Sequence, residues 1–393
     1  MGAGPGFDFH CFMDLSHRDQ FHLIFIRNPS FAYNMDWHYR QSNYKHKDMM
    51  NILTTMSDHI ILLSFASRAG ILALALIADA VIGEPDILWR RLPHPVVMFG
   101  RAISATSHIL NRRPRHGKTR RFLGVLGITA LVMLALLIGA GISAIAAGIS
   151  HQTMTTWPSF LIEGVAVTIL LAGKSLDLHV RAVAIALRDH GLDAARSAVS
   201  MIVGRNPASL DKAAICRASI ETTAENLSDG VVAPAFYYLA FGLPGIVAYK
   251  MINTADSMIG YKSARWLAFG WGAARLDDLV NLIPARITGL LIIISAILPR
   301  PTLALRSWRV MWRDAGKHRS PNAGWPEAAM AGALDVQLAG PRQYGIRVST
   351  DLPLNPDGKQ PDDKDILVAL SYLRKTIGLM VAILGVIWAV GGG

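Results

Sequence analysis

The sequence predicts an all-α integral membrane protein that crosses the bilayer several times, with cytoplasmic polar loops and with broken or re-entrant helices. The first observation is the uncharged apolar run 122–149. At ~1.5 Å per residue, a helix of that length exceeds the ~30 Å hydrocarbon core of a bilayer. The second is composition, because the 393 residues are 52% hydrophobic and only 17% charged, with a mean hydropathy of +0.33. The third is that apolar runs recur along the chain.

These further apolar runs are candidate membrane helices, at residues 60–80, 157–173, 231–249, 279–298 and 376–390. Arg68 interrupts the first of them and Glu163 the second. A charge inside a membrane is costly unless protein or water surrounds it. We therefore expect both helices to pack against protein on one side.

Basic residues predict which loops face the cytoplasm. The segment 90–121 is crowded with Arg and Lys and contains no acid. Segments 174–230 and 299–375 are also rich in basic residues, whereas the connection 150–156 has none. Because cytoplasmic loops carry an excess of Lys and Arg, the first three segments are expected inside and 150–156 on the opposite side.

Residues 231–298 allow two topologies. If both apolar runs cross the membrane, the polar segment 250–278 lies outside the cell. Alternatively, a hairpin dips into the membrane and returns this segment to the cytoplasmic side. Interruptions of the two runs favour the hairpin, since broken helices occur where they line a polar cavity; they are Pro234, Gly242, Pro244 and Pro284.

The first 55 residues differ from the rest, because they are His-rich and aromatic and contain neither an apolar span nor a signal-peptide core. Met56 precedes a plausible start, MSDHIILLSF. We interpret residues 1–55 as an N-terminal extension or a mis-assigned start, and residues 56–393 as the membrane-embedded domain.

Charge and cysteine content exclude two classes of function. The formal net charge is +11, but the basic residues cluster beside apolar spans and form no basic helix interleaved with stacking aromatics. Nucleic acid is therefore not an expected partner. Cys11 and Cys216 offer neither a disulfide framework nor metal-ligand spacing, so redox chemistry is not expected.

Two polar clusters lie in turns. The first contains Asp79, Glu84 and His94, among Gly and Pro residues that hold carboxylates at the end of an apolar helix. Simple helix capping is the alternative. The second is the loop Ser320-Pro321-Asn322, which follows Arg313-Asp314 and His318.

A third cluster has helical spacing. Intervals of four place Glu221, Glu225 and Asp229 on one helix face, with Asn226 beside them. Like charges at this spacing repel, so a magnesium ion or a row of basic side chains is expected to face them. A solvated acidic face is the alternative.

The fourth cluster combines carboxylates, amides and cations. On a helix, Asp277 and Asp278 each share a face with Asn281, an arrangement that can hold magnesium against phosphate oxygens. Intramembrane ion pairing is the alternative. No glycine-rich phosphate loop or nucleophile elbow occurs. The remaining members are Lys250, Asn253, Asp256, Ser257, Lys262, Arg275 and Arg286.

These residues by themselves indicate a membrane enzyme that handles phosphate or carboxylate groups, or an anion transporter. In sequence order, however, the motifs resemble one family, adenosylcobinamide-phosphate synthase of the CobD/CbiB type, over about residues 69–345. Glu84 stands where Asp is also common in that family. The motifs are Asp79 with Gly83-Glu84-Pro85 and His94-Pro95; Ile202-Val203-Gly204-Arg205; Glu221-Thr222 with Ala224-Glu225-Asn226 and Asp229-Gly230; Tyr249-Lys250 with Asn253-Thr254, Asp256-Ser257-Met258 and Gly260-Tyr261-Lys262; Ala274-Arg275-Leu276-Asp277-Asp278 with Asn281 and Pro284-Ala285-Arg286; and Ser320-Pro321-Asn322.

The resemblance implies a step of cobalamin biosynthesis at the inner cell membrane. The family joins aminopropanol, or its O-phosphate, to the ring D propionate of (adenosyl)cobyric acid, which gives (adenosyl)cobinamide or its phosphate. A carboxylate needs activation before an amine attacks it, and ATP with Mg²⁺ would supply this as an acyl phosphate or acyl adenylate. Other nucleotide-loop assembly enzymes are plausible membrane partners.

The resemblance also implies residue roles. Magnesium would be held by Glu225, Asp229, Asp277 and Asp278. Catalytic roles fall to Glu221, Glu225, Asp256, Lys250 and Arg275, with Glu221 or Asp256 accepting the ammonium proton. Substrate or phosphate would be bound by Asp79, Glu84, His94, Arg205, Asn226, Asn253, Ser257, Lys262, Asn281, Arg286 and Asn322.

Two rival functions remain at this stage. A membrane prenyltransferase would use Asp277-Asp278 and Asn281 to bind diphosphate through magnesium, but it does not explain the Ser-Pro-Asn loop or His94-Pro95. A transporter of an anion or corrinoid would use 231–298 as broken helices, although no inverted repeat is visible.

Overall fold

The computed structural model describes residues 65–83, 89, 91–112, 116–203, 208–297, 300–341, 343–344, 347–348 and 351–391. These residues belong to one compact unit, Ile61–Gly393. The predicted extension 1–55 lies outside the described residues.

The described chain is almost entirely helical, which confirms the predicted fold class. Helix α1 covers 65–81. The others are α2 Pro95–Leu110, α3 Gly117–Thr153, α4 Trp157–Leu170, α5 Gly173–Ile185, α6 Leu192–Ser200, α7 Lys212–Leu227, α8 Ala233–Ile259, α9 Trp271–Val280, α10 Leu282–Ile297, α11 Pro301–Asp314, α12 Gly324–Leu334 and α13 Asp363–Gly391. Two π turns, Ala186–His190 and Ser228–Val232, extend α5 and α7.

Four two-residue strands form the only sheets in the described part of the chain. They are β1 Leu338–Ala339, β2 Gln343–Tyr344, β3 Arg347–Val348 and β4 Pro353–Leu354. Strand β1 pairs with β4 and β2 with β3, both antiparallel.

Four helical segments are long and apolar enough to cross a membrane, and a fifth is formed if α9 and α10 count as one bent span. The four are Gly117–Thr153, Trp157–His190, Lys212–Ile259 and Asp363–Gly391. The protein is therefore a polytopic membrane protein. Helices α9 and α10 meet at 45° around Asn281.

Length and composition alone would make Lys212–Ile259 a single span, but the backbone reverses within α8 at Gly242. Gly242 has φ 65° and ψ −154°, a combination essentially restricted to glycine. The rings of Tyr237 and Tyr249 consequently stack, with centroids 5.2 Å apart. The Tyr249 hydroxyl lies 3.2 Å from the Asp229 carbonyl oxygen, whereas in a straight helix their positions would be about 30 Å apart. Residues 233–259 thus form the predicted helical hairpin.

The two charges in the apolar helices lie against this hairpin, as expected. Arg68 donates from Nη1 to the Ala240 carbonyl at 3.2 Å, next to the reversal. Glu163 accepts a hydrogen bond from the Tyr238 hydroxyl at 2.7 Å and from Ser143 at 3.2 Å. Both charged side chains therefore satisfy polar groups that the broken helix and its neighbours present inside the membrane region.

Helix α3 packs closely on the hairpin through a small residue. A Cβ atom added at Gly139 would lie 2.6 Å from the Pro244 Cα atom. Small residues allow such backbone approach between membrane helices. The long span α3 is thereby seated against the turn of the hairpin.

Asp79, at the end of α1, caps the start of α5. Its Oδ2 atom accepts hydrogen bonds from the backbone N–H groups of Gly173 at 2.9 Å and Lys174 at 3.3 Å. The carboxylate is only 2% exposed. These hydrogen bonds are those of a helix cap, which is the alternative that the sequence left open for Asp79.

Replacing Asp79 with Ala is expected to lower the free energy of unfolding by about 0.5–2 kcal/mol, because two helix N–H groups lose their acceptor. Asp79→Asn should lose less, since it keeps a side-chain oxygen. Thermal unfolding in detergent measures both variants. A substrate-binding role without a capping role would instead raise KM and leave the unfolding midpoint unchanged.

The polar, Pro-rich composition of residues 350–365 predicts a loose linker before the last span, and this prediction is wrong for the residues that the structure describes. Leu354 is fully buried, and Asn355 is 4% exposed with φ 50°. The Asn355 N–H donates to Asp314 Oδ2 at 2.8 Å, and its side-chain amide donates to the Val336 carbonyl at 3.2 Å. The asparagine thus connects the segment to α11 and to the residues between α12 and β1, through contacts that its polar composition did not reveal.

Asp314 is the charged residue to which the Asn355 N–H is hydrogen-bonded. It is fully buried and pairs with Arg313 at 2.8 Å and Lys317 at 2.6 Å. Burial raises the pKa of the Asp314 carboxyl. The hydrogen bonds from Arg313 and Lys317 outweigh burial, so the pKa lies below its ordinary value.

Asp314 should therefore contribute stability above the unfolded-state pKa of about 3.9, and this contribution is lost as pH falls through the lower folded pKa. Asp314→Asn is expected to lower the unfolding midpoint at pH 7 and to flatten its decline below about pH 4. Thermal unfolding at several pH values measures this. Asp193→Asn, at a side chain 95% exposed, is the control; an equally flattened profile there would contradict the assignment.

Candidate functional site

Five carboxylates from three separated parts of the chain line one cavity of about 220 Å³, here called the acidic cavity. Glu225 and Asp229 come from α7 and its π turn, Asp256 from the second half of the hairpin, and Asp277 with Asp278 from α9. In all, this cavity is lined by Glu225, Ser228, Asp229, Asp256, Asp277, Asp278, Asn281, Ser320, Asn322, Ala323 and Pro326. Glu225 forms a fifth acid at its edge with the neighbouring cavity described below.

Breaks in regular helices position these carboxylates. Asp229 lies on the π turn Ser228–Val232, a geometry found often at functional sites. The reversal at Gly242 brings Asn253 opposite Asp229. The break between α9 and α10 places Asn281 at their junction.

Amide side chains hold the carboxylates in place. Asn253 Nδ2 lies 3.5 Å from Asp229 Oδ2 and 3.4 Å from Asp277 Oδ1. Asn281 donates to Asp277 Oδ2 at 3.0 Å, and its Oδ1 lies 2.9 Å from the Tyr249 hydroxyl. Asp277 thus receives amide donors on both oxygens, which fixes the direction in which its charge points.

The loop before α12 closes the acidic cavity. Asn322 donates from Nδ2 to the Asp278 carbonyl at 2.7 Å. Ser320 Oγ accepts from the N–H groups of Asn322 and Ala323, each at 3.2 Å. Among the described residues, the buried atoms Asn322 Oδ1 and Ser228 Oγ have no hydrogen-bond partner. Two polar atoms on the cavity wall are thereby left to bind a ligand.

A second cavity of about 460 Å³, the adjoining cavity, shares Glu225 with the acidic cavity. Glu221 lies here, where its Oε1 accepts from the Ala339 N–H at 2.7 Å. His318 Nδ1 accepts from the Ser320 N–H at 3.1 Å, and its Nε2 lies 3.8 Å from Glu327 Oε2. The remaining lining residues are Ile202, Val203, Ala218, Thr222, Asn226, Tyr261, Arg319, Ala339 and Asp351.

The predicted acidic face of α7 therefore serves two cavities. Glu221 lines the adjoining cavity, Asp229 the acidic cavity, and Glu225 both. Spacing by four puts the three acids near one face, but Glu221 and Asp229 lie about 12 Å apart along the helix axis, so they reach different cavities.

The acidic cavity has the donor chemistry that magnesium prefers, namely carboxylate and amide oxygens. Among the described residues, no three His, Cys, Asp or Glu side chains form a group ready to hold a metal ion. Magnesium is commonly bound through one or two carboxylates plus substrate phosphates. The residues present thus fit an ion that arrives with a phosphate ligand.

Three predicted cations lie around the acidic cavity without lining it. Lys250 is 8% exposed, and its charge acts on Asp229. Arg275 pairs with Asp278 at 3.1 Å. Arg286 lies over the Trp325 ring, 4.4 Å from its centroid.

Other predicted residues lie apart from both cavities. Ser257 and Lys262 are exposed. His94 caps α2 through Nδ1, which accepts from the Val96 N–H at 3.2 Å. Glu84 and Arg205 lie outside the described residues, so their placement stays a prediction.

Sequence reasoning missed several residues of these walls. Ser228 carries no charge, and Asp351 lies outside the four polar clusters of the sequence. The signal for His318 and Ser320 was the Ser-Pro-Asn loop, which is weak when read by itself. Only the contact between this loop and α9 gives it a place at the site.

Most of the chain matches one known protein family. The family described as CobD/Cbib protein matches residues 72–373. This chain belongs to the CobD/CbiB family. Membership places it in cobalamin biosynthesis as an enzyme of that pathway.

The match to relatives within the CobD/CbiB family extends over nearly the full length of each relative. The chain is 52% identical over 322 residues to a cobalamin biosynthesis protein CobD of Sinorhizobium sp, covering 80% of this chain and 97% of the relative. The protein of the same name from Brucella suis biovar 1 is 49% identical, covering 80% and 94%. That of Rhodobacter capsulatus is 44% identical, covering 82% and 99%. No solved structure matches.

Proposed function

We propose that this CobD/CbiB protein forms an amide between the ring D propionate of (adenosyl)cobyric acid and aminopropanol or its O-phosphate, with ATP and Mg²⁺. The observation that carries this proposal is the pair of cavities that share Glu225. One is rich in carboxylates and suits a metal with phosphates, and the other mixes acids with His318 and Arg319. An ATP-dependent ligase needs both kinds of subsite side by side.

The acidic cavity would take the metal and the phosphates. Asp229, Asp277 and Asp278 supply hard oxygen ligands, and Asn253 and Asn281 orient them. Lys250, Arg275 and Arg286 surround this cavity and offset the negative charge of phosphates. When bound, magnesium ATP supplies the activation that a carboxylate needs before an amine attacks it.

The adjoining cavity would take the reacting amine and the propionate arm. A cavity of about 460 Å³ is of the size that holds a small ligand, so the large corrin ring would remain at its mouth. The neutral amine attacks the activated carbonyl carbon, the C–N bond forms, and the phosphate-bearing group leaves. Glu221 accepts the ammonium proton in this arrangement, and Asp256, across Glu225, is the alternative base.

The same geometry favours a cytoplasmic site in the inner cell membrane. Residues 225–229, 256, 277–278 and 320–326 line one cavity, so they lie on one side of the membrane. Segments 174–230 and 299–375 are the basic ones that the positive-inside rule assigns to the cytoplasm. ATP is available on that side.

Single-cysteine labelling tests this sidedness in intact cells. Thr155 and Ser263 are both exposed, and the proposal puts them on opposite sides of the membrane. A membrane-impermeant maleimide is therefore expected to label Thr155→Cys from outside and Ser263→Cys only after the membrane is broken. The unsubstituted chain controls for Cys11 and for the buried Cys216. Labelling of Ser263→Cys in intact cells would place the site outside and contradict the proposal.

Complementation tests the reaction. Residues 56–393 would be expressed in a bacterium that lacks its cobinamide-forming step, and cobyric acid or cobinamide would be supplied separately. Growth on cobyric acid is expected, and purified protein should consume ATP as the amide forms. If only cobinamide restores growth while membrane expression is normal, the amide-forming step is not this protein's. Magnesium-dependent use of isoprenyl diphosphate, or uptake without chemical change, would then identify the rival functions.

A further inference from the structure

A third cavity, of about 530 Å³, lies at the basic end of α3 and is unused by the proposed reaction. It is lined by Asn111 at the end of α2, Arg120 in the first turns of α3, and Ala264 with Arg265 in the connection before α9. None of these residues lines the acidic or the adjoining cavity. Because the cavity lies at the start of a membrane span, it is within reach of ligands that belong to the membrane surface.

The arginine side chain in this cavity is held by neutral groups. Arg120 Nε donates to Asn111 Oδ1 at 2.7 Å, and Nη2 donates to the Arg265 carbonyl oxygen. Asn111 Nδ2 donates to the same carbonyl at 3.1 Å. Among the described residues, no Asp or Glu forms an ion pair with Arg120 or Arg265. Two guanidinium groups are therefore positioned around a cavity without being neutralised.

Exposed apolar and aromatic side chains follow the lining arginines directly in sequence. Phe122 is 68% exposed and Leu267 61% exposed. The Arg265 guanidinium lies over the Trp266 ring at 4.4 Å, and Arg121 lies over Trp271 at 3.5 Å. Trp beside Arg, next to exposed apolar groups at the end of a span, is typical of the membrane–water interface.

We propose that this cavity binds the phosphate headgroup of an anionic phospholipid, with the acyl chains along the exposed apolar side chains at the start of α3. A phosphate can accept several hydrogen bonds from Arg groups. Basic pockets between membrane helices on the cytoplasmic side are suited to anionic headgroups. Free phosphate has the same charge, but it would gain nothing from the exposed Phe122 and Leu267.

The test measures lipid binding to the full chain in non-ionic detergent. Phosphatidylglycerol, phosphatidylcholine and inorganic phosphate are titrated separately, and the thermal midpoint and the lipid retained in native mass spectrometry are followed. Phosphatidylglycerol is expected to raise the midpoint in a saturable manner. Removing one arginine should weaken its apparent affinity roughly fivefold and removing two roughly thirtyfold.

The variants are Arg265→Gln and the double variant Arg120→Gln/Arg265→Gln. Arg309→Gln, an exposed arginine on α11, makes the same charge change elsewhere and should retain wild-type affinity. Arg120 also holds the connection before α9 through its hydrogen bond to the Arg265 carbonyl. If the double variant therefore unfolds, the lipid affinity of Arg265→Gln tests the proposed site by itself. Equal stabilisation by inorganic phosphate would overturn the lipid assignment. Equal weakening by Arg309→Gln, or no preference for phosphatidylglycerol over phosphatidylcholine, would overturn the site.

Discussion

Asp277→Asn and Glu225→Gln are each expected to lower amide formation by at least about 10²-fold, while the protein still inserts and folds. Both substitutions keep side-chain size and remove a charge. Asp277 receives hydrogen bonds from Asn281 at 3.0 Å and Asn253 at 3.4 Å, so an amide there loses one acceptor as well as the charge. Glu225 lines both cavities, so its loss affects metal binding and the adjoining subsite together.

The measurement is product formation from cobyric acid, ATP and the amine, at several magnesium concentrations. A metal-binding role predicts that the magnesium concentration needed for half-maximal rate also rises, which a purely structural role would not change. Asp193→Asn, at a side chain 95% exposed on α6, is the matched control and should be near wild type. Near-normal turnover of both site variants would contradict the assignment of these residues to a metal site.

Gly242→Ala is expected to lower the free energy of unfolding by about 1–3 kcal/mol. The reason is backbone conformation, because a residue with a Cβ atom strongly disfavours φ 65° with ψ −154°. An added Cβ would meet Arg68 Nε at an ordinary contact distance of 3.5 Å, so the cost comes from the backbone and not from a clash. The hairpin sets Asn253 opposite Asp229, so a loosened turn should reduce turnover as well as stability.

Thermal unfolding in detergent and the activity of the same preparation test this expectation. Gly141→Ala is the matched control, since Gly141 lies within helix α3 and nothing is within 4 Å of its added Cβ. In a helix interior, Gly→Ala is neutral or stabilising. The hairpin interpretation would be contradicted by equal unfolding midpoints and equal activity in the two variants.

Much of this architecture could be read from the sequence because membrane helices obey a strong local rule. Every backbone polar group in lipid must be satisfied within the span, so an uncharged run such as 122–149 has one structural solution. The cost of a charge inside the membrane predicted that Arg68 and Glu163 would contact protein, which they do. The backbone rule also favoured the hairpin, since Gly and Pro interrupt the run 231–249.

The site was foreseen in part. Helical spacing placed Asp277 near Asn281, and the structure bonds them directly. Spacing could not show that Asp229 and Glu221 face different cavities, because the walls of each cavity come from distant parts of the chain. Nor could it show that Asp79 caps α5, since Gly173 is remote in sequence.

The sequence by itself determined the class of protein, the long span 122–149, the family resemblance and the polar residues from which the site is built. These follow from local composition, periodicity and motif order. Only the tertiary structure decided which of those residues meet, because the distances between Asp229, Asn253 and Asp277 depend on a backbone reversal and a helix break. The ordering of residues 351–362 was likewise decided by long-range contacts to a buried charge, and polar composition carries no record of such contacts.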